Sequence, residues 1–457
     1  MGMDAEQPRS RQRRWAAAIL SIAVLSGLFG VYRLSDTAPG VAIDLRHFYM
    51  HAAALWSQGQ PELIYDDTQG RVVGYIHGPA FAALLAAVVR AVGEPAAVMA
   101  YQFVLYALYP LLLALLLAMT RPQTRITSSL PLTYRQAVAI VYVASVCTRS
   151  AFEVSNVEPF VHLALLAGPA ALAWAAARHD ARWTTVAVLC AGLTAGVVTA
   201  VKVTPVLLLA SWLGHGLVAA ALRRADEGSR AELKAGVLGF ATCVVTLAAT
   251  PRESAAFAST LARMSGLVAT DGLQGVEALR WSLQASVSAV SGWPEPGIRP
   301  VVVGCMGLLL VASVCWRSRS LRLLAVLAAI FCVNNFAWSY TWVPSMFFCL
   351  VALSRRGART GALGVAAAAT VATVLLTMAT VREAGVVVAL VSEASGAWRG
   401  ISNRLGAVVE TLPMFGAVAA LLLTALAIAG QRGARGLRLG GESDAKPPHR
   451  PAAGPSP

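Results

Sequence analysis

The amino-acid sequence predicts an all-α fold, a polytopic transmembrane helical bundle, and three observations predict it. Of 457 residues, 57% are hydrophobic and only 13% are charged, against roughly 25% charged in soluble proteins. The apolar residues fall in runs, many close to the roughly 20 residues that a helix needs to cross a bilayer. Between those runs the basic residues lie in short clusters: Arg9–Arg14, Arg121–Arg135, Arg178–Arg182, Arg223–Lys234, Arg317–Arg322, Arg355–Arg359 and Arg432–Arg438. Such clusters mark loops retained on the cytoplasmic side. They also turn the net charge of +14 away from nucleic acid, because no basic face or stripe is formed.

Sidedness follows in order along the chain. Residues 1–14 form a cytoplasmic basic arm, and Trp15–Val31 is the first span. That run is long for the apolar stretch of a cleaved signal peptide, so it reads as an uncleaved anchor. Residues 33–78 form a long polar and aromatic outer loop. Four apolar segments follow, near 79–92, 96–119, 136–148 and 157–177, before the inner cluster Arg178–Arg182. An outside-to-inside passage needs an odd number of crossings. The shortest segment, 79–92, carries Arg90 and is assigned as a re-entrant or interfacial helix beneath the first outer loop. Spans near 185–201, 205–221 and 236–251 lead to a second outer loop, 252–298. Spans near 299–316, 323–337, 343–353 and 361–381, an outer stretch 382–412 and a last span 413–430 complete a transmembrane domain of residues 15–430. The Gly/Pro/Ser-rich residues 431–457 read as a disordered cytoplasmic tail. The expected total is about 12 spans with both termini cytoplasmic. The halves show no internal repeat of the kind many secondary transporters carry. Seven scattered cysteines without a CxxC read as small hydrophobes.

This threading sends the unusual polar residues to one side. Asp44, His47, His51, His77, Glu153, Asn156, Glu158, Lys202, Asp271, Arg280, Asn334, Asn335 and Tyr340 lie outside or at outer helix ends. Ionisable groups at membrane depth are functional candidates, and their position favours chemistry at the surface over conduction through the midplane. Asp44 opens DLRHFYMHAAALWSQG; it suits a helix N-cap as well as a general base. His47 and His51, spaced i, i+4, could share a helix face as a metal pair, but no third ligand stands at a convincing spacing, so no metal and no cofactor are expected. Lys202 is one of three lysines in a chain whose other basic side chains are arginines. It is either a snorkelling helix-end residue or a cation placed for a lipid phosphate. The outer tryptophans Trp56, Trp281, Trp293, Trp338 and Trp342 fit an interfacial aromatic belt.

The stretch DLRHFYMHAAALWSQGQPELIYD resembles the first outer loop of family 87 glycosyltransferases. The matching positions are Asp44, Phe48, Tyr49, Ala52, Ala53, Gly59, Tyr65 and Asp66. AGLTAGVVTAVKVTPVLLLASWL is similar to the family's Gly-rich helix ending in Lys-x-Thr-Pro, at Lys202, Thr204 and Pro205. Tyr75 with His77-Gly78-Pro79 partly keeps its Tyr-Pro-Pro element, SNVEPFVHLALLA resembles its Gly-Gln-Val-Asn segment without the Gly-Gln, and NNFAWSYTWVPSMFF resembles its Ser-Pro-x-Ser-Trp-x-His-His segment without the histidines. The resemblance covers residues 15 to about 353. It implies a GT-C bundle that moves a sugar, mannose first among candidates, from a polyprenyl-phosphate donor to a lipid or glycan acceptor on the extracytoplasmic face. It implies Asp44 as general base, Lys202 and His77 at the donor phosphate, and His47, Tyr49, Tyr65, Asn156, Trp338 and Tyr340 as substrate contacts. Two other readings remain open: a lipid or sugar transporter or flippase, and a non-catalytic envelope-assembly protein of the same fold. Arg-over-Lys, Ala-rich usage points to a GC-rich bacterial genome.

Overall fold

The computed structural model describes residues 6–35, 44–65, 77–126, 132–144, 154–178, 180–269, 292–333 and 343–356, with a few single positions between them. Among these residues the regular elements are helical, and one isolated antiparallel bridge joins Arg125 to Thr133. The chain begins with α1 (Glu6–Arg33), a π-helical turn (Asp44–Tyr49), α2 (Met50–Ser57) and a 3₁₀ turn (Pro61–Tyr65). Next come α3 (Pro79–Val92), α4 (Glu94–Met119), α5 (Tyr134–Ala144), α6 (Glu158–Arg178), α7 (Ala181–Val201) and α8 (Val206–Ala221). The last described helices are α9 (Glu227–Ala248), α10 (Pro251–Ala269), α11 (Glu295–Cys315), α12 (Arg319–Val333) and α13 (Val343–Arg356).

Six helices among the described residues are long and apolar enough to cross a membrane: Arg14–Arg33 within α1, α4, α6, α7, α9 and Pro296–Cys315 within α11. The outer face of α1 leaves Leu20, Leu25, Leu28 and Phe29 more than half exposed, as a surface solvated by lipid chains requires. With 14 residues, α3 is about 21 Å long and falls short of the roughly 30 Å hydrocarbon layer. It packs instead on α2, α4 and α7. The segments expected near 136–148, 205–221, 323–337 and 343–353 are helices of 11, 16, 15 and 14 residues. The spans expected at 361–381 and 413–430, the stretch 382–412 and the tail lie outside the described residues.

Local chemistry sets the boundaries. Asp180 caps α7 by accepting from the Arg182 amide at 2.9 Å, and Asp226 caps α9 by accepting from the Ser229 amide at 2.6 Å. That second cap starts α9 at Glu227, before the apolar run expected from 236. The first part of the expected outer loop 252–298 is helical as α10; its Phe257 is buried beside Tyr65, ring centroids 5.8 Å apart.

Helices α7 and α9 pair through glycine. A Cβ added to Gly196 would lie 2.4 Å from the Gly239 carbonyl oxygen, and one on Gly192 would lie 2.9 Å from that of Ala235. Two backbones this close exploit small residues, the usual means of helix association where burial from water gives no drive. The pairing fixes the end of α7, which carries Lys202 as its C-cap.

Candidate functional site

One end of the bundle gathers the starts of α3, α4 and α6, the end of α7 and the π-helical turn. Asp44 opens that turn, and its backbone amide donates to the Val154 carbonyl at 3.0 Å. Leu45 and Tyr49 of the same turn are buried at 0% and 1% exposure. The sequence offered Asp44 as a helix N-cap with His47 and His51 on one α-helical face; the π-helical turn over Asp44–Tyr49 alters the face that the two histidines share. Both histidines are exposed. Among the described residues no group of three His, Cys, Asp or Glu could hold a metal ion.

Asn156 faces Asp44 from the loop before α6. Its Nδ2 donates to Asp44 Oδ2 at 2.5 Å, and its Oδ1 accepts from the Glu158 amide at 2.9 Å. The turn presenting it is strained: Ser155 has φ +58°, a left-handed conformation that non-glycine residues adopt at a cost. Ser155 is anchored to α4, where its hydroxyl donates to Gln102 Oε1 at 2.7 Å and its carbonyl accepts from Tyr101 Oη at 3.2 Å. Three residues absent from the sequence-based site, Ser155, Gln102 and Tyr101, thus hold Asn156 against the carboxylate. A polar residue inside an apolar helix, Gln102, was their one visible signal.

Lys202 does not stand alone. Its Nζ donates to Oε1 of Glu158, at the first position of α6. The Glu158 side chain is 3% exposed and that of Lys202 14%; His162 Nε2 lies 3.8 Å from Glu158 Oε2. The Lys202 charge also reaches Asp44. Burial pushes the Asp44 carboxyl up to about 6, against the Asn156 hydrogen bond and the Lys202 ammonium, which both pull it down.

His77 is buried, and burial followed by the Lys202 charge holds it well below its ordinary value. It is therefore neutral at the site and brings hydrogen bonding, not the positive charge suited to a phosphate. Tyr49 Oη meets His77 Nε2 at 3.2 Å and accepts from the Val157 amide at 3.1 Å. Tyr65 Oη donates to the His77 carbonyl at 2.8 Å; burial and the nearby Glu253 charge push this phenol up. Tyr49 and Tyr65, expected to touch substrate, are buried struts between the first loop and the helix ends. His47 is exposed on the turn that carries Asp44. Trp338 and Tyr340, the other expected contacts, lie outside the described residues.

Gly78 sets the closest approach. Its amide donates to the Val201 carbonyl at 2.7 Å, and a Cβ there would stand 1.7 Å from the Ala200 carbonyl oxygen. Gly78→Ala is expected to push the His77 loop off the end of α7 and destabilise the protein by about 1–3 kcal/mol. Thermal unfolding in detergent reads the loss, and hydrogen exchange should rise first around residues 77–82.

These helices and this cluster define an integral membrane protein with a half-buried carboxylate, an amide and a paired ammonium gathered at one end of its bundle. No protein-family model, curated protein or solved structure matches the chain.

Proposed function

We propose that the chain is a membrane glycosyltransferase of GT-C type. It moves a sugar, mannose first among candidates, from a polyprenyl-phosphate donor to a lipid or glycan acceptor on the extracytoplasmic face of a bacterial cell membrane. In this reading the bundle has about 12 spans with both termini cytoplasmic, and the Asp44 end faces outward. The single observation that carries it is the placement of Asp44: a half-buried carboxylate, oriented by Asn156 and within electrostatic reach of Lys202.

Asp44 accepts the proton of the acceptor hydroxyl. The freed oxygen bonds to the anomeric carbon of the donor sugar, the carbon–oxygen bond to phosphate breaks, and its electron pair leaves with the polyprenyl phosphate. The departing phosphate oxygen is only weakly basic, so a strong general acid is not required. Lys202 has three N–H donors and gives one to Glu158; the others suit the phosphate oxygens as charge develops. Neutral His77 and buried Tyr49 keep the loop under Asp44 rigid, which is the positioning such a transfer needs.

The test is hexose transfer by the purified full chain in nanodiscs, given polyprenyl-phosphate-mannose and fractionated envelope lipids and glycans. A product heavier by one hexose supports the reading. A folded protein that transfers nothing to any fraction overturns it and favours the transporter or assembly alternatives. The pH profile is a further prediction. A base must be deprotonated, so the rate is expected to fall about tenfold per pH unit below about 6 and to level off above it. The stability term runs the other way. The folded carboxyl binds its proton more tightly than the ordinary value of 3.8, so protonating Asp44 favours the fold and its contribution is lost as pH rises through about 6.

A further inference from the structure

The opposite end of the same helices carries a second, chemically different site. A cleft of about 700 Å³ opens between the last turns of α4, α6 and α13 and the first turn of α12. Its walls are apolar, formed by residues such as Leu115, Ala170, Leu323 and Phe348, and no acidic side chain among the described residues lines it. Arg319 and Arg355 stand in its lining. Arg178 adds a third guanidinium, stacked 4.2 Å over the ring of Trp174 in the wall. Ser354, next to Arg355, accepts from the backbone amide of Arg121 at 3.3 Å.

Two of these arginines are held in place. Arg355 Nε donates to the Met119 carbonyl at 3.0 Å while the side chain stays exposed. Arg319 Nε pairs with Glu232 at 3.1 Å, and Arg322, buried beneath it, bonds the other carboxylate oxygen. Asp226 also lies within electrostatic reach of Arg319 and Arg322, so two carboxylates face these two guanidiniums and the remaining positive charge at the cleft comes from Arg355 and Arg178. The volume falls within the range of ligand sites, and a long apolar slot ending in arginines matches one chemistry: hydrocarbon chains below, a phosphate above.

We infer that this cleft binds an anionic glycerophospholipid of the leaflet on the basic side of the protein, its acyl chain along α6 and its phosphate at Arg355 and Arg319. Charge complementarity selects this occupant, because basic pockets between spans at the cytoplasmic surface recognise anionic head groups. The inference does not depend on the transferase reading; the Asp44 cluster is at the other end of α4 and α6, roughly 30 Å away along α6.

The experiment uses the delipidated full chain in detergent, titrated with phosphatidylglycerol or with phosphatidylcholine of identical acyl chains and read by native mass spectrometry. Phosphatidylglycerol should bind preferentially. Arg319→Gln with Arg355→Gln should weaken it about 30-fold. Arg355→Gln alone spares the Glu232 pair and should give a smaller loss, so a folding defect in the double variant does not hide the result. Ala170→Trp, which fills the slot and keeps every arginine, should abolish binding. Equal binding of the two lipids, or unchanged binding in these variants, overturns the inference. Competition by inorganic phosphate alone at equal concentration also overturns it, since the chains would then contribute nothing. Full-yield cross-linking of Ala170→Cys to a cysteine placed in residues 361–381 would show the chain itself filling the cleft, with the same consequence.

Discussion

Asp44→Asn is expected to lower transferase activity by about 10²- to 10⁴-fold, the usual contribution of a positioned base, without unfolding the protein. The amide is nearly isosteric with the carboxylate, and its oxygen can still accept the Asn156 Nδ2 bond that now measures 2.5 Å. It removes a charge whose burial is unfavourable, so the unfolding midpoint at neutral pH should hold or rise. The loss must therefore appear in kcat with normal expression and normal melting. Asn156→Ala is the companion variant, because it keeps the base and removes its orientation, and a smaller loss is expected. Activity of Asp44→Asn equal to the unmodified protein would remove the base from the mechanism.

Glu158→Gln is expected to destabilise the protein by about 3–5 kcal/mol, since it leaves the Lys202 ammonium half-buried without its counter-charge. Removing both charges should be far milder: Glu158→Gln with Lys202→Met should recover most of the midpoint, because two apolar or neutral groups need no compensation. Activity should not return with stability, because the double variant lacks the ammonium proposed for the donor phosphate. Thermal unfolding in detergent and a hexose-transfer assay on the same preparations separate these effects. A single variant as stable as the unmodified chain would mean that the pair does not anchor α6 to α7.

The bundle was legible wherever local patterns determine structure. Apolar runs located α1, α4, α6 and α7, because a span is set by its own composition. The shortness of 79–92 was legible too: α3 has 14 residues, fewer than the roughly 20 a span needs. Boundaries set by caps were less visible: Asp226 starts α9 well before its hydrophobic stretch, and α10 arises from a mixed sequence whose one buried aromatic finds Tyr65. At the site, Asp44 and Asn156 stood out as polar residues at helix ends. The union of Lys202 with Glu158 did not, because it joins positions 44 residues apart in sequence. The π-helical turn was equally hidden, since its hydrogen bonding is decided by how Leu45 and Tyr49 pack. Tyr49 and Tyr65, which the family resemblance assigned to substrate, are buried among the helix ends, and their burial depends on long-range packing that the sequence does not display.

The bond between Asn156 and Asp44 spans 112 residues, and this has a consequence for biogenesis. At about 5–20 residues per second, a ribosome needs on the order of 10 s to make the segment that separates them. During that interval Asp44 has been synthesised while its amide partner has not, and α7, which delivers Lys202, follows later still. A nascent chain arrested before α6 would thus hold a solvated carboxylate of ordinary acidity, and the altered proton affinity would arise only once the later helices have been inserted beside it.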